Sequence, residues 1–143
     1  ISKAPENAPD ELAGYELFKK YDCATCHVGE ILGGQSYELI GVQHDYFADR
    51  AAEMTEEDNG RFKQTKIERD RHRFKVPGLR NIELTAPYFH DGSMATMDDA
   101  VRAMAKYQLG IDLPQPEVDK IVAFLRTLTG EYKGKLLTNK NMI

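Results

Sequence analysis

The chain has 143 residues, of which 41% are hydrophobic, with a formal net charge of −4 and a sequence pI of about 5.6. This length suits one domain with a core of its own, and the acidic balance argues against a nucleic-acid partner. No run of apolar residues approaches the roughly 18 that a membrane-spanning helix requires.

The first predicted element is a helix over residues 10–21, preceded by a tail over residues 1–9 that contains two prolines. Asp10 is a suitable N-cap. Apolar or small residues follow at helical spacing: Gly14, Leu17, Phe18 and Tyr21. Glycine is costly inside a helix, so Gly14 marks either a close helix crossing or an incidental surface position.

Residues 23–27 read C-A-T-C-H, and this C-x-x-C-H spacing is typical of covalent attachment of a c-type haem. Cys23 and Cys26 can each add to one vinyl group of the same porphyrin. The adjacent His27 can then bind the iron through an imidazole nitrogen. We therefore predict one covalent haem c, around which the rest of the chain is organised.

Three other interpretations of this motif are weaker. A structural zinc site needs four ligands, but the chain has only two cysteines and the other histidines are badly spaced. A redox dithiol would be expected within a βαβ pattern, which the sequence lacks. A disulfide would give the neighbouring histidine no role.

The stretch over residues 28–75 is predicted to be irregular, because glycines interrupt it repeatedly. Residues 45–58 are acidic and residues 63–75 are basic. The two runs either face each other, steer a partner, or form an ordinary solvated surface, which is the default interpretation.

Residues 74–92 read FKVPGLRNIELTAPYFHDG, and the chain later contains YQLG and a helix that ends in LTGE. This text resembles the C-terminal, electron-accepting haem domain of bacterial di-haem cytochrome c peroxidases, over roughly residues 12–134. The resemblance implies a mostly α, class I cytochrome c-like domain with long irregular loops. Those peroxidases carry two C-x-x-C-H motifs, whereas this chain has one.

The second axial ligand of the iron is predicted to be a methionine. Thr96 is a suitable N-cap, and Met97, Ala100, Val101 and Met104 then share one helical face. Spacing alone leaves Met94, Met97 and Met104 open as ligands, and Met104 as a plain core residue. The resemblance implies Met104, at the position where the related MauG-like enzymes have a tyrosine.

Other residues of this stretch are given smaller roles. Pro77, Leu79, Tyr88 and Phe89 are predicted to wall the haem, although plain core residues would look the same, and Arg80, Asn81 and His90 are candidates to bind its propionates. The resemblance implies calcium binding by the backbone carbonyls of Thr85 and Pro87. The asparagine that completes the calcium site in the peroxidases belongs to the domain that has no counterpart here.

The last helix is predicted to start near Pro116, to bury Val118, Ile121, Val122 and Leu125, and to end before Gly130 at the C′ position. It should cross the first helix near Gly14. These elements predict a cytochrome c domain over residues 10–132 and a polar C-terminal tail over residues 133–143.

The main functional hypothesis is one-electron transfer by a mono-haem cytochrome with His27 and Met104 as axial ligands, and without a catalytic residue. The alternative is a haem domain of, or a fragment from, a peroxide-reducing cytochrome c peroxidase. A third hypothesis is gas sensing by ferrous iron that loses Met104. Expected partners are redox proteins such as other cytochromes or a reductase, and a second copy of the chain. Because haem c is attached outside the cytoplasm, we expect a mature periplasmic chain whose leader has been removed.

Overall fold

The computed structural model describes residues 9–141, so residues 1–8 of the predicted tail lie outside the described residues. Six α-helices run in chain order: α1 (Pro9–Lys20), α2 (Cys23–Cys26), α3 (Tyr46–Arg50), α4 (Phe62–Thr65), α5 (Met97–Met104) and α6 (Gln115–Arg126). Helix α5 continues directly into a π-helical turn over Ala105–Leu109. The mostly α architecture is confirmed.

Two small antiparallel ribbons supplement the helices. Strand β1 (Tyr37–Leu39) pairs with β2 (Arg73–Lys75), in a register that places Glu38 opposite Phe74. Strand β3 (Glu131–Tyr132) pairs with β4 (Lys135–Leu136). The predicted irregular stretch therefore holds two short α-helices, two 3₁₀ turns (Glu57–Asn59 and Glu68–Asp70) and a ribbon, and the predicted C-terminal tail contains a hairpin strand.

The core forms where α1 crosses α6. Phe18 of α1 packs its ring 5.3 Å from that of Phe124 of α6, and both side chains are buried. The rest of the buried cluster comes mainly from α6 and the segments flanking it: Leu79, Ala105, Leu113, Val118, Ile121, Val122, Leu125 and Leu128. All four residues predicted to line the inner face of α6 are buried, as the helical spacing indicated.

Gly14 marks the helix crossing. It is buried, and a Cβ atom built there would lie 1.8 Å from the backbone oxygen of Lys120. Only glycine allows the two backbones to come this close. The interpretation of Gly14 as an incidental surface glycine is therefore wrong.

Of the three helix caps predicted from the sequence, one is correct and two are wrong. Thr96 caps α5, because its hydroxyl accepts a hydrogen bond from the backbone N–H of Asp99. Asp10 instead lies inside α1, which begins one residue earlier. Gly130 is not the C′ residue of α6, because that helix ends at Arg126 and Thr127 follows as its C-cap. The backbone N–H of Gly130 donates to the side chain of Asn81 instead.

Candidate haem site

Cys23, Cys26 and His27 are brought together by α2 and the residue that follows it. His27 donates its backbone N–H to the carbonyl of Cys23, which fixes the histidine directly after this single helical turn. Cys23 packs against the rim of the core cluster, and both cysteines are half-buried and unpaired. Cys23 and Cys26 therefore do not form the disulfide that one interpretation of the motif allowed.

The thiols are poorly suited to redox dithiol chemistry. Burial raises the pKa of Cys23 to about 11, and burial also raises the pKa of Cys26. Reactive dithiols need a thiolate at neutral pH and hence a lowered pKa. It is the placement of two free thiols beside a histidine that fits covalent attachment of a porphyrin.

The imidazole of His27 is held as a neutral ligand. Its Nδ1 lies 3.0 Å from the carbonyl oxygen of Leu32 and donates a hydrogen bond to it, so the lone pair is on Nε2. Burial lowers the pKa of His27, and the carbonyls of Leu32 and Pro77 offset this only in part. A neutral ring whose second nitrogen is fixed by a carbonyl is the usual state of a metal-binding histidine.

The loop after the motif is positioned by glycine. A Cβ atom at Gly33 would lie 2.0 Å from the carbonyl oxygen of Pro77, so the two backbones are in contact there. Gly34 donates its N–H to the carbonyl of Val76 at 2.7 Å, and Leu79 donates to that of Ile31 at 2.9 Å. These bonds join the loop around His27 to residues 76–79.

Helix α5 presents an apolar face that the protein covers only partly. Met97, Val101 and Met104 are half-buried, whereas the buried residue of this helix is Ala103. Met97 and Val101 contact the same core cluster as Cys23, as do the half-buried Leu32, Ile82 and Ile111. A flat apolar group would complete the burial of such a half-covered face. The donor set and this lining both fit a haem c.

The remaining predicted wall residues occupy different environments. Leu79 and Tyr88 are buried, and the Tyr88 hydroxyl donates to the carbonyl of Ile82 at 2.9 Å. Phe89 is half-buried with its ring 5.7 Å from that of Tyr46, and Pro77 is exposed. Tyr88 and Phe89 therefore do not form an exposed aromatic face.

The residues predicted to bind propionates or calcium differ from one another in exposure and in hydrogen bonding. Arg80 is exposed, as are Thr85 and Pro87, whose suggested calcium binding stays a prediction. The side-chain oxygen of Asn81 already accepts the N–H of Gly130 at 2.7 Å. His90 bonds through Nε2 to Asp58 at 2.7 Å and stacks on Phe74, with ring centroids 4.2 Å apart.

His90 belongs to a polar network that the sequence did not predict. Its centre is the carboxylate of Asp58, which has no exposed side-chain surface and binds both terminal nitrogens of Arg50, at 2.7 and 2.8 Å. Arg50 also donates to Asp91 at 3.0 Å, and the hydroxyl of the buried Tyr46 donates to the same carboxylate at 2.7 Å. We call Asp58, Arg50, His90, Asp91 and Tyr46 the Asp58 network.

Both carboxylates of the Asp58 network are stabilised in their ionised form. Hydrogen bonds from Arg50 hold the pKa of Asp58 well below its usual range despite its burial. Burial opposes ionisation of Asp91, but hydrogen bonds from Tyr46, Ser93 and Arg50 outweigh it and lower its pKa. Asp58, His90 and Asp91 have the spacing of a metal site, yet the guanidinium already supplies the positive charge. The network is therefore structural.

The acidic and basic runs of the sequence do face each other in places. Lys63 of the basic run lies 3.0 Å from Glu57 and 3.9 Å from Glu56 of the acidic run. Separately, an open groove of about 740 Å³ lies along residues 39–48, and its lining includes neither the cysteines nor His27.

None of the helices within residues 9–141 is both long and apolar enough to cross a bilayer.

Comparison with known proteins gives relatives named cytochrome c peroxidase and, at lower identity, relatives named methylamine utilization protein MauG. The chain is 52% identical over 132 residues to the cytochrome c peroxidase Ccp of Escherichia coli K12, which covers 91% of this chain and 28% of that protein. It is 41% identical over 118 residues to the cytochrome c551 peroxidase of Pseudomonas aeruginosa. That alignment covers 82% of this chain and 33% of the relative. This chain is related to the haem domains of cytochrome c peroxidases. No family model matches it.

A solved structure agrees with this relationship. A crystal structure of a MauG-like protein associated with microbial copper homeostasis superposes with a TM-score of 0.71 at 26% identity, covering 87% of this chain and 45% of that one. The predicted class, a mostly α, cytochrome c-like haem domain, is confirmed. The chain spans between 28% and 35% of the length of the first peroxidases it matches.

Proposed function

We propose that this chain is an electron-accepting haem domain that works by one-electron transfer, with His27 and Met104 as the axial ligands of one haem c. The observation that carries the proposal is the neutral imidazole of His27, fixed through Nδ1 by Leu32, directly after two unpaired cysteines. The relatives named cytochrome c peroxidase support a haem-based redox role.

Each protein group would have a definite task. Cys23 and Cys26 would form thioether bonds to the porphyrin, and the Nε2 atom of His27 would bind one side of the iron. Met104 would bind the other side with a soft thioether, which favours the ferrous state and raises the reduction potential. A bound haem would supply the ferric/ferrous couple. If His27 and Met104 both bind the iron, peroxide and water would find no open position on it.

The proposed context is bacterial and periplasmic, where such cytochromes meet other redox proteins. We propose residues 10–132 as the haem domain, with a single haem and with redox proteins as partners. The proposal also includes binding of calcium by the backbone carbonyls of Thr85 and Pro87, and a homodimer. The type of domain, C-terminal and electron-accepting, rests on the text of residues 74–92.

The alternative function is that of a domain within a peroxide-reducing enzyme. The observation that favours it is the length of the relatives named peroxidase, of which this chain spans only about a third. In that case electron acceptance by this domain would serve a second site where peroxide reacts. The chain on its own should then show little peroxide turnover with reduced cytochrome donors.

Replacement of Met104 tests the proposal. Met104→Ala should remove the sulfur-to-iron charge-transfer band and the low-spin spectrum of the ferric protein, or substitute another sixth ligand, and should lower the midpoint potential. Met94→Ala and Met97→Ala serve as matched controls that should keep both signals. An unchanged spectrum in Met104→Ala would remove this residue from the site, and turnover equal to that of a two-haem enzyme would overturn the carrier role.

A further inference from the structure

The segment that follows Met104 has an unusual backbone. Helix α5 ends at Met104, and the next five residues form a π-helical turn in which the N–H of Gly110 donates to the carbonyl of Ala105, five residues earlier. Such turns are rare and occur mostly as single turns at functional sites. A turn of this kind depends on tertiary contacts, so its anchors help to determine where the last residue of α5 lies.

The main anchor is the side chain of Gln108, which is half-buried. Its Oε1 accepts the backbone N–H of Gly41 at 2.7 Å, and its Nε2 donates to the carbonyl of Leu39 at 2.9 Å. One amide thus binds a donor and an acceptor on the segment that joins β1 to α3. The N–H of Gln43 adds a third bond, to the carbonyl of Tyr107 at 2.9 Å.

A second contact of the same turn is more exposed. Lys106 pairs with Asp49 at 2.6 Å, and the two side chains are 51% and 43% exposed. Tyr107 also donates to this carboxylate at 3.2 Å. Exposed ion pairs contribute little to stability, because solvent screens them and two flexible side chains must be ordered. Gln108, with both ends of its amide engaged by backbone, is the stronger constraint.

We propose that Gln108 is a positioning residue for Met104, which holds the π-helical turn so that the thioether stays at the iron. This inference rests on the proposed axial ligation. Glutamine suits the task because its amide donates and accepts at once at this reach. Asparagine is one methylene shorter, and glutamate lacks the donor.

The expected effect follows from competition at the sixth position of the iron. Imidazole can bind only when Met104 has left, so its apparent affinity is its intrinsic affinity multiplied by the fraction of molecules with Met104 released. If the two bonds of Gln108 are kept only while Met104 is bound, their loss increases that fraction. Two hydrogen bonds of ordinary net strength correspond to about tenfold in an equilibrium constant.

The experiment is titration of the ferric holoprotein with imidazole, followed by absorbance, together with the midpoint potential. Gln108→Met, which keeps the length of the side chain and removes both bonds, should bind imidazole about tenfold more tightly than the natural sequence and should have a lower potential. Gln108→Glu keeps only the acceptor and should fall between the two. Lys106→Met, in the same turn, is the matched control and should change the affinity less than about twofold.

The outcomes separate the inference from the function on which it rests. If Met104→Ala does not bind imidazole more tightly than the natural sequence, the axial ligation itself is wrong. If Met104→Ala does so but Gln108→Met and Gln108→Glu stay within twofold, the role of Gln108 is wrong. An equal change in Lys106→Met and Gln108→Met would also overturn it, because it would mean general loosening of the turn. Should Gln108→Met fail to fold, the Gln108→Glu titration decides alone.

Discussion

The side chains of the haem motif and those of the Asp58 network differ in where their contacts come from. Around the motif, apolar residues such as Met97 and Val101 stay half-buried, and the imidazole of His27 leaves one nitrogen free for a ligand. In the network, Asp58 is fully buried and both of its oxygens bind Arg50. The haem motif leaves a donor atom for a partner, whereas the carboxylate of Asp58 finds its partners within the protein.

This contrast teaches where function and stability are located. A buried charge must find all its partners inside the chain, so the network ties together segments far apart in sequence. A cofactor site instead keeps apolar surface and one free donor atom, because the cofactor supplies the remaining contacts. Changes in the network should therefore alter stability first, and changes near the motif should alter the haem spectrum.

The largest effect should follow from breaking the network. Asp58→Asn leaves the guanidinium of Arg50 buried beside a neutral amide, which should lower the free energy of unfolding by about 3–5 kcal/mol. Urea unfolding measures this loss. Glu57→Gln, at the neighbouring exposed carboxylate, is the control and should cost less than about 1 kcal/mol. Equal losses in both variants would mean that burial does not distinguish the two carboxylates.

Next in size is a change at the crossing of α1 and α6. Gly14→Ala gains about 1 kcal/mol of helix propensity. The new methyl group meets the backbone of Lys120, however, and overpacking of this kind costs about 1–3 kcal/mol or more. We expect net destabilisation, and a shift in the haem spectrum, because the adjacent Phe124 packs on Phe18, whose ring lies 6.3 Å from that of His27.

Leu12→Ala is the control for that change, because Leu12 lies on the same helix with 60% of its surface exposed. It should alter the thermal midpoint only slightly. A Gly14→Ala protein as stable as the natural one would show that the helices can separate without loss.

Acid should weaken the Asp58 network through its two aspartates. The pKa values of Asp58 and Asp91 are lowered in the folded protein, whereas an unfolded aspartate titrates near about 3.9. Their stabilisation is thus complete above that pH and is lost as the pH falls below it, by up to about 1.4 kcal/mol per pH unit for each carboxylate. Urea midpoints between about pH 7 and pH 3 measure this slope, which should be shallower in Asp91→Asn. An equal slope in both proteins would remove Asp91 from the acid response.

The smallest effect is expected at the exposed pairs. Lys63→Met removes the contact with Glu57, whose side chain is 65% exposed, and should change the free energy of unfolding by less than about 1 kcal/mol. The effect should shrink further in high salt, because salt screens exposed charges. A loss as large as that of Asp58→Asn would erase the distinction between the two kinds of ion pair.

How much the sequence predicts depends on whether the signal is local. The cysteines and His27 occupy five consecutive residues, and Thr96 caps a helix that begins one residue later, so both are visible in a short window. Burial of the inner face of α6 follows from helical spacing alone. The sequence left two interpretations of Gly14 open, and only the position of α6 decides between them.

The rest depends on contacts between distant residues. Asp58 stands in an acidic run that was interpreted as ordinary surface, and its bond to His90 joins residues 32 positions apart. A buried carboxylate and a solvated one look identical in a sequence. The π-helical turn has no signal of its own either, since Gln108 is an unremarkable helix former until Gly41 and Leu39 lie beside it.

The π-helical turn also determines how the chain tolerates changes in length. A helical residue contributes about 100° of rotation and about 1.5 Å of rise. Removal of one residue between positions 105 and 109 would let ordinary α-helical pairing take over, and every side chain after the deletion would then point elsewhere. Met104 itself would stay in place in such a deletion, but the side chain of Gln108 would no longer point toward β1. Natural variants of this fold that keep the anchor should therefore keep the number of residues between it and the methionine, while loops elsewhere grow or shrink.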